Sequence, residues 1–151
     1  MTKKSYIELI FLIFLGAITS LSLPPFNYLI INFITLSLLF IFLIKSSKKK
    51  VNKKLFFLYG WLFGFGYFIT NLYWISISLT FDKSFKFLMP LALVLIPAFL
   101  ALFYGLIFYL FFILKTKKIV ASFFLFSLIF GLLEYVRGFI LTGFPWNLIA
   151  Y

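Results

Sequence analysis

FLMPLALVLIPAFLALFYGLIFYLFFIL, residues 87–114, contains no charged side chain and is long enough to cross a bilayer. A hydrocarbon core about 30 Å thick needs roughly 20 apolar residues at ~1.5 Å of helical rise each. No water is available there to satisfy backbone amides, so such a run must be helical. Pro97 inside it reads as a kink whose freed carbonyl is satisfied by neighbouring helices, and Pro90 lies in the first turns. Neither proline implies a transport hinge.

The same reading extends to both sides. Apolar runs at 6–23, 28–44, 55–79, 87–114 and 119–141 predict about five transmembrane helices, an all-α polytopic membrane helix bundle occupying residues 1–151 as one transmembrane domain. Hydrophobic residues make up 65% of the chain and charged ones 11%, with a mean hydropathy of +1.18, which excludes an ordinary soluble globular domain. The first run follows Lys3 and Lys4 like a signal peptide, but the four spans behind it make it a retained helix. It ends at Pro24-Pro25, where missing amide hydrogens and the restricted preceding residue stop a helix. Glu8 near its start can reach the interface.

The formal charge is +11, from 14 Lys and Arg against 3 Asp and Glu, and its distribution reads as topology. Six lysines lie within 45–54, three within 115–118 and two at the N-terminus, whereas Lys83 and Lys86 stand alone on the other side beside Asp82. Lysine-rich short loops are retained in the cytoplasm, which places the N-terminus there and residues 143–151 outside. The 45–54 stretch is expected to be a solvated loop beside anionic lipid headgroups. No basic face alternates with exposed aromatics, so no nucleic-acid partner is expected. The absence of Cys and His removes thiol nucleophiles, imidazole bases and the usual transition-metal ligands, and no metal or cofactor is expected. No internal repeat supports an inverted-repeat transporter.

Two places carry chemistry. Glu134 and Arg137 are three residues apart in the fifth run, on one helical face, with a spacing that permits an ion pair near its outer end. Intramembrane charges are costly and need compensation. The favoured role is structural, holding the following loop, because a catalytic carboxylate needs a nucleophile and an electrostatic partner that this chain lacks. Beyond them, Gly143-Phe144-Pro145-Trp146 sets two large rings at a membrane surface, either as an interfacial anchor or as a contact for an acyl chain entering from outside. Gly60, Gly64 and Gly66 punctuate the third run with spacing suited to close helix packing, followed by Asn71, Tyr73 and Trp74.

Together, Leu23-Pro24-Pro25-Phe26, then Gly60, Gly64, Gly66, Phe68 and Trp74, then Leu133-Glu134-Tyr135-Val136-Arg137-Gly138 running to Gly143-Phe144-Pro145-Trp146, resemble the N-terminal membrane region of apolipoprotein N-acyltransferases. The resemblance spans nearly the whole chain but only the opening part of the family, whose members continue into further membrane helices and a periplasmic nitrilase-like domain with a Glu, Lys and Cys catalytic set. It implies a bacterial inner-membrane protein that takes phospholipid as acyl donor and the diacylglyceryl-Cys of a lipoprotein as acceptor, through a Cys thioester. With no Cys, residues 1–151 alone are expected to be inactive and to be part of a longer chain. The alternatives are a small transporter or channel subunit using Glu134 and Arg137 in a polar pathway, or a noncatalytic assembly partner.

Overall fold

A computed structural model of the protein describes residues 3–49, 51–73, 87–140 and 148–149. They form five α-helices: α1 (Lys3–Thr19), α2 (Ile30–Ser47), α3 (Lys53–Asn71), α4 (Met89–Leu114) and α5 (Ile119–Ile140), with no strand among the described residues. The protein is an all-α membrane helix bundle. By length and composition α2, α4 and α5 can each cross a membrane, and Tyr6–Ser22 is a shorter apolar stretch.

Local chemistry sets the helix ends. The first helix stops at Thr19, four residues before the Leu23 expected from hydropathy, and tightens into a 3-10 turn over Ser20–Ser22. Three hydroxyls take up carbonyls there: Thr19 donates to Leu15 O, Ser20 to Ala17 O and Ser22 to Thr19 O, each at 2.7 Å. Prolines 24 and 25 have no N–H to offer those carbonyls, so the side chains do it instead. Asn27 then takes a left-handed φ of 57°, which asparagine tolerates better than most residues, as the chain turns into α2. At α3, the Asn52 side-chain oxygen caps the helix by accepting from Leu55 N–H at 2.9 Å. That helix ends at Asn71, and residues 74–79 of the expected span, including Trp74, lie outside the described residues.

The arrangement centres on α3, which packs most extensively on α4 and then on α1; α5 lies against α4, and α2 against α1. Composition explains that position. Alone among the helices, α3 interleaves Gly60, Gly64 and Gly66 with Tyr59, Phe63, Tyr67 and Phe68, all buried. A Cβ at Gly60 would fall on the Tyr104 carbonyl oxygen and 2.8 Å from the Phe108 ring of α4, and one at Gly66 would fall on the Ile13 carbonyl of α1. The absence of side chains thus lets α3 touch a neighbour's backbone on two sides, the way helices gain van der Waals contact where lipid is as apolar as Leu. Gly16 of α1 answers from the opposite wall, its Cβ position overlapping the Phe63 carbonyl. The lateral surface of the bundle consists of exposed Ile7, Phe14, Phe33, Phe124 and Phe139 and similar residues, which in water would be an untenable apolar patch and in a bilayer is the ordinary state.

At the lysine-bearing end, Glu8 is half-buried. It pairs with Lys49 of the α2–α3 loop and accepts a hydrogen bond from the Tyr59 hydroxyl at 3.0 Å, tying α1 to both.

Candidate functional site

Glu134 and Arg137 occupy successive turns of α5, and both are buried, at 4% and 0% exposure. The i, i+3 spacing brings them together: Arg137 Nε and Nη2 donate to Glu134 Oε1 at 3.2 and 3.0 Å. Bringing both donors to one carboxylate oxygen leaves Oε2 available, and that oxygen accepts the backbone N–H of Ile149 at 2.9 Å. The guanidinium stands 5.0 Å from the centroid of the Phe68 ring on α3, a cation–π contact strengthened by the lack of water. Tyr67 and Tyr104 lie within electrostatic reach of the pair. The Tyr104 ring meets Phe68 and Phe130 edge-on at 5.3 and 5.4 Å. Two charges that lipid would reject are therefore enclosed by α3, α4 and α5 and neutralised against each other.

The carboxylate also holds a segment of the chain beyond α5. Residues 141–147 are outside the described residues, and with them Gly143, Phe144, Pro145 and Trp146. The chain re-enters the described part at Leu148 and Ile149, both buried. Ile149 is held at both backbone groups, its N–H by Glu134 and its carbonyl by the Asn32 amide of α2 at 3.4 Å. Leu148 packs over Gly138, where a Cβ would stand 3.4 Å from Leu148 Cδ1. A segment 15 residues beyond Glu134 and 117 beyond Asn32 thus bridges the ends of α5 and α2.

Beneath this bridge α2 and α5 enclose a cavity of about 950 Å³, with Leu36, Phe130, Gly131 and Tyr135 among its walls and Asn32, Glu134 and Ile149 at one end. The other end is stopped by rings: Phe40 of α2 meets Phe123 at 5.4 Å and Phe126 at 5.9 Å on α5. Its rims, Phe33, Tyr135 and Phe139, are exposed on the lateral surface, so the cavity is a wedge open sideways to lipid. Gly131 faces open space, with nothing within 4 Å of a Cβ placed there. Apolar walls with a few convergent polar groups at one end suit a hydrocarbon chain carrying a polar head.

Among the residues singled out from sequence, the structure brings Glu134 and Arg137 together in one site and places Gly60, Gly64 and Gly66 apart from it, between helices. The sequence does not point to Asn32, Ile149 or Gly16 as site or packing residues, and it marks Phe68 only through the family resemblance. Asn32 was the legible one, a lone amide near the start of an otherwise apolar run.

Residues 15–151 match the family model described as the apolipoprotein N-acyltransferase N-terminal domain. The apolipoprotein N-acyltransferase of Rhizobium rhizogenes strain K84 is 39% identical over 146 residues, that of Rhizobium etli strain CIAT 652 is 38% identical over 149, and that of Rhodopseudomonas palustris strain CGA009 is 40% identical over 141. Each alignment covers 90% of this chain and 26% of the relative, so the chain spans about a quarter of the length of these curated relatives. The match takes in α2 to α5 and both residues of the buried pair. The chain belongs to the apolipoprotein N-acyltransferase family, as its N-terminal domain.

Proposed function

We propose that residues 1–151 are the membrane portion of an enzyme that moves an acyl chain from phospholipid to the N-terminal diacylglyceryl-Cys of bacterial lipoproteins, and that the wedge between α2 and α5 admits the lipid chain. In this reading the domain sits in the inner membrane with residues 143–151 on the periplasmic side, as the lysine distribution suggests. The reaction needs a thiolate that attacks the phospholipid ester carbonyl and releases the lysophospholipid, after which the lipoprotein amine takes the acyl group and frees the thiol. This chain has no Cys, so that nucleophile comes from elsewhere in the full enzyme. The domain contributes anchoring and positioning, which act on rate by holding reactants in place.

The observation that carries this reading is the tethering of Ile149 to Glu134 and Asn32 at the polar end of a wedge otherwise lined with hydrocarbon. It supports Glu134 and Arg137 as a tether for the chain at Ile149 rather than as acid–base catalysts, and in this reading the Gly143–Trp146 segment is where a lipid chain meets the rest of the enzyme. The transporter alternative finds no support in the family to which the chain belongs.

A chimera tests the assignment. Residues 1–151 replacing the matched N-terminal quarter of the Rhizobium rhizogenes relative are expected to restore lipoprotein N-acylation in cells depleted of the native enzyme, read as the mass of the lipoprotein N-terminal peptide. A chimera that inserts and accumulates normally but transfers no acyl group would refute it. Within the chimera, Gly131→Leu projects a side chain into the open wedge from a position where the added Cβ has no atom within 4 Å. Displacing roughly two lipid methylenes at ~0.8 kcal/mol each lowers transfer by about tenfold. Undiminished transfer with the leucine in place would show that the lipid takes another route.

A further inference from the structure

We infer that the lysine-bearing end of the bundle is a binding platform for the phosphates of anionic phospholipids, assembled from two connections about 60 residues apart: the α2–α3 connection with the helix ends that flank it, and the α4–α5 connection at 115–118. Two contacts bring them to the same end: the Phe56 and Phe112 rings are 4.5 Å apart, and Lys53 Nζ stands 5.9 Å from the centroid of Tyr109 on α4, while Lys115 Nζ lies 5.6 Å from the centroid of Phe112 on the preceding turn. Lys45, Lys48, Lys49, Lys53 and Lys54 thereby join Lys115, Lys117 and Lys118, eight cations of which seven are exposed. The only described carboxylate at this end is Glu8, and Lys49 pairs with it.

Depth selects the partner. Lys115 directly follows the exposed Ile113 and Leu114, and Lys118 directly precedes the exposed Ile119 and Val120. Those apolar side chains face hydrocarbon, so at ~1.5 Å of rise per residue the neighbouring ammonium groups lie at the hydrocarbon edge, where lipid phosphates are. An acidic protein or a nucleic acid would have to reach them through the headgroup layer.

The shorter loop is also rigidly built. Thr116 N–H donates to the Ser122 hydroxyl oxygen at 3.1 Å, that hydroxyl donates back to Thr116 O at 3.0 Å, and the Thr116 hydroxyl donates to Lys118 O at 3.0 Å. Ser122 is fully buried, so the backbone carrying Lys115, Lys117 and Lys118 is fixed before any lipid arrives, and little ordering remains to oppose binding. An anionic headgroup can then be shared between this loop and the lysines of the longer one. The platform is independent of the wedge between α2 and α5.

Native mass spectrometry of the chain in detergent, offered phosphatidylglycerol and phosphatidylcholine of identical acyl chains, tests this. Phosphatidylglycerol is expected to be retained about fivefold over phosphatidylcholine at low salt, with the preference shrinking as salt rises. K115Q/K117Q/K118Q is expected to lose most of the preference while K115R/K117R/K118R keeps it, with helical content by circular dichroism unchanged in both. Leaving the N-terminal lysines and 45–54 intact keeps eight of the eleven lysines on that side against two on the other, so loss of binding can be read apart from misinsertion. Equal retention of the two lipids, a preference unaffected by the glutamine substitutions, or stronger capture of an acidic peptide or oligonucleotide than of phosphatidylglycerol would overturn the inference.

Discussion

Arg137→Leu is expected to be among the most damaging single substitutions in this domain, and adding Glu134→Gln to it is expected to recover much of the loss. Arg137 has 0% exposure, and its guanidinium bonds Glu134 Oε1 through two nitrogens while lying against Phe68. Leucine fills part of that volume but leaves the Glu134 carboxylate enclosed at 4% exposure, without its cation. Breaking a buried pair from one side costs about 3–5 kcal/mol because a charge stays behind uncompensated, whereas removing both charges costs far less. Glutamine at 134 keeps a side-chain oxygen within reach of Ile149 N–H, so the double variant loses mainly hydrogen bonds worth roughly 1 kcal/mol each. Thermal unfolding in detergent should rank wild type above the double variant and the double variant above Arg137→Leu. Equal losses in the single and double variants would show that the pair is not the unit that counts.

The pair was legible because it is local. An i, i+3 spacing on a helix can be read from the chain, as can the need for helices wherever long apolar runs meet lipid, so the helical class of the protein follows from hydropathy and the exclusion of water. Long-range partners were not legible. Asn32 and Ile149 are 117 residues apart, and no periodicity in either segment announces that one amide will hold the other's carbonyl. The centre of the bundle was half legible. The glycines of α3 signal close approach, but which helices approach is not encoded there, and the answering Gly16 in α1 carries no signal because a single glycine in an apolar run has no pattern. Hydropathy in fact points away from α3, since the most enclosed helix can carry tyrosines and glycines in place of lipid-facing Leu and Ile. Lipid exposure rather than burial makes a membrane helix look apolar.

The same logic reverses the usual sign of a glycine substitution. In a helix interior Gly→Ala ordinarily stabilises by roughly 0.8–1 kcal/mol, because alanine restricts the unfolded chain and glycine does not. Gly131→Ala is expected to behave that way, since its added methyl meets nothing within 4 Å. Gly60→Ala and Gly66→Ala are expected to do the opposite, because the new Cβ would overlap the Tyr104 carbonyl in one case and the Ile13 carbonyl in the other. Those atoms belong to the backbones of α4 and α1 and cannot rotate aside, so a whole helix must move and the contacts flanking each glycine open with it. Overpacking of this kind costs about 1–3 kcal/mol or more, enough to exceed the propensity gain and lower the recovery of folded protein. The double variant Gly60→Ala/Gly66→Ala pushes α3 away from both neighbours at once and is expected to leave almost no monodisperse protein on size exclusion in mild detergent. Should all three single alanine variants gain stability alike, helix propensity alone would govern these positions, and the central placement of α3 between α1 and α4 would have to be abandoned.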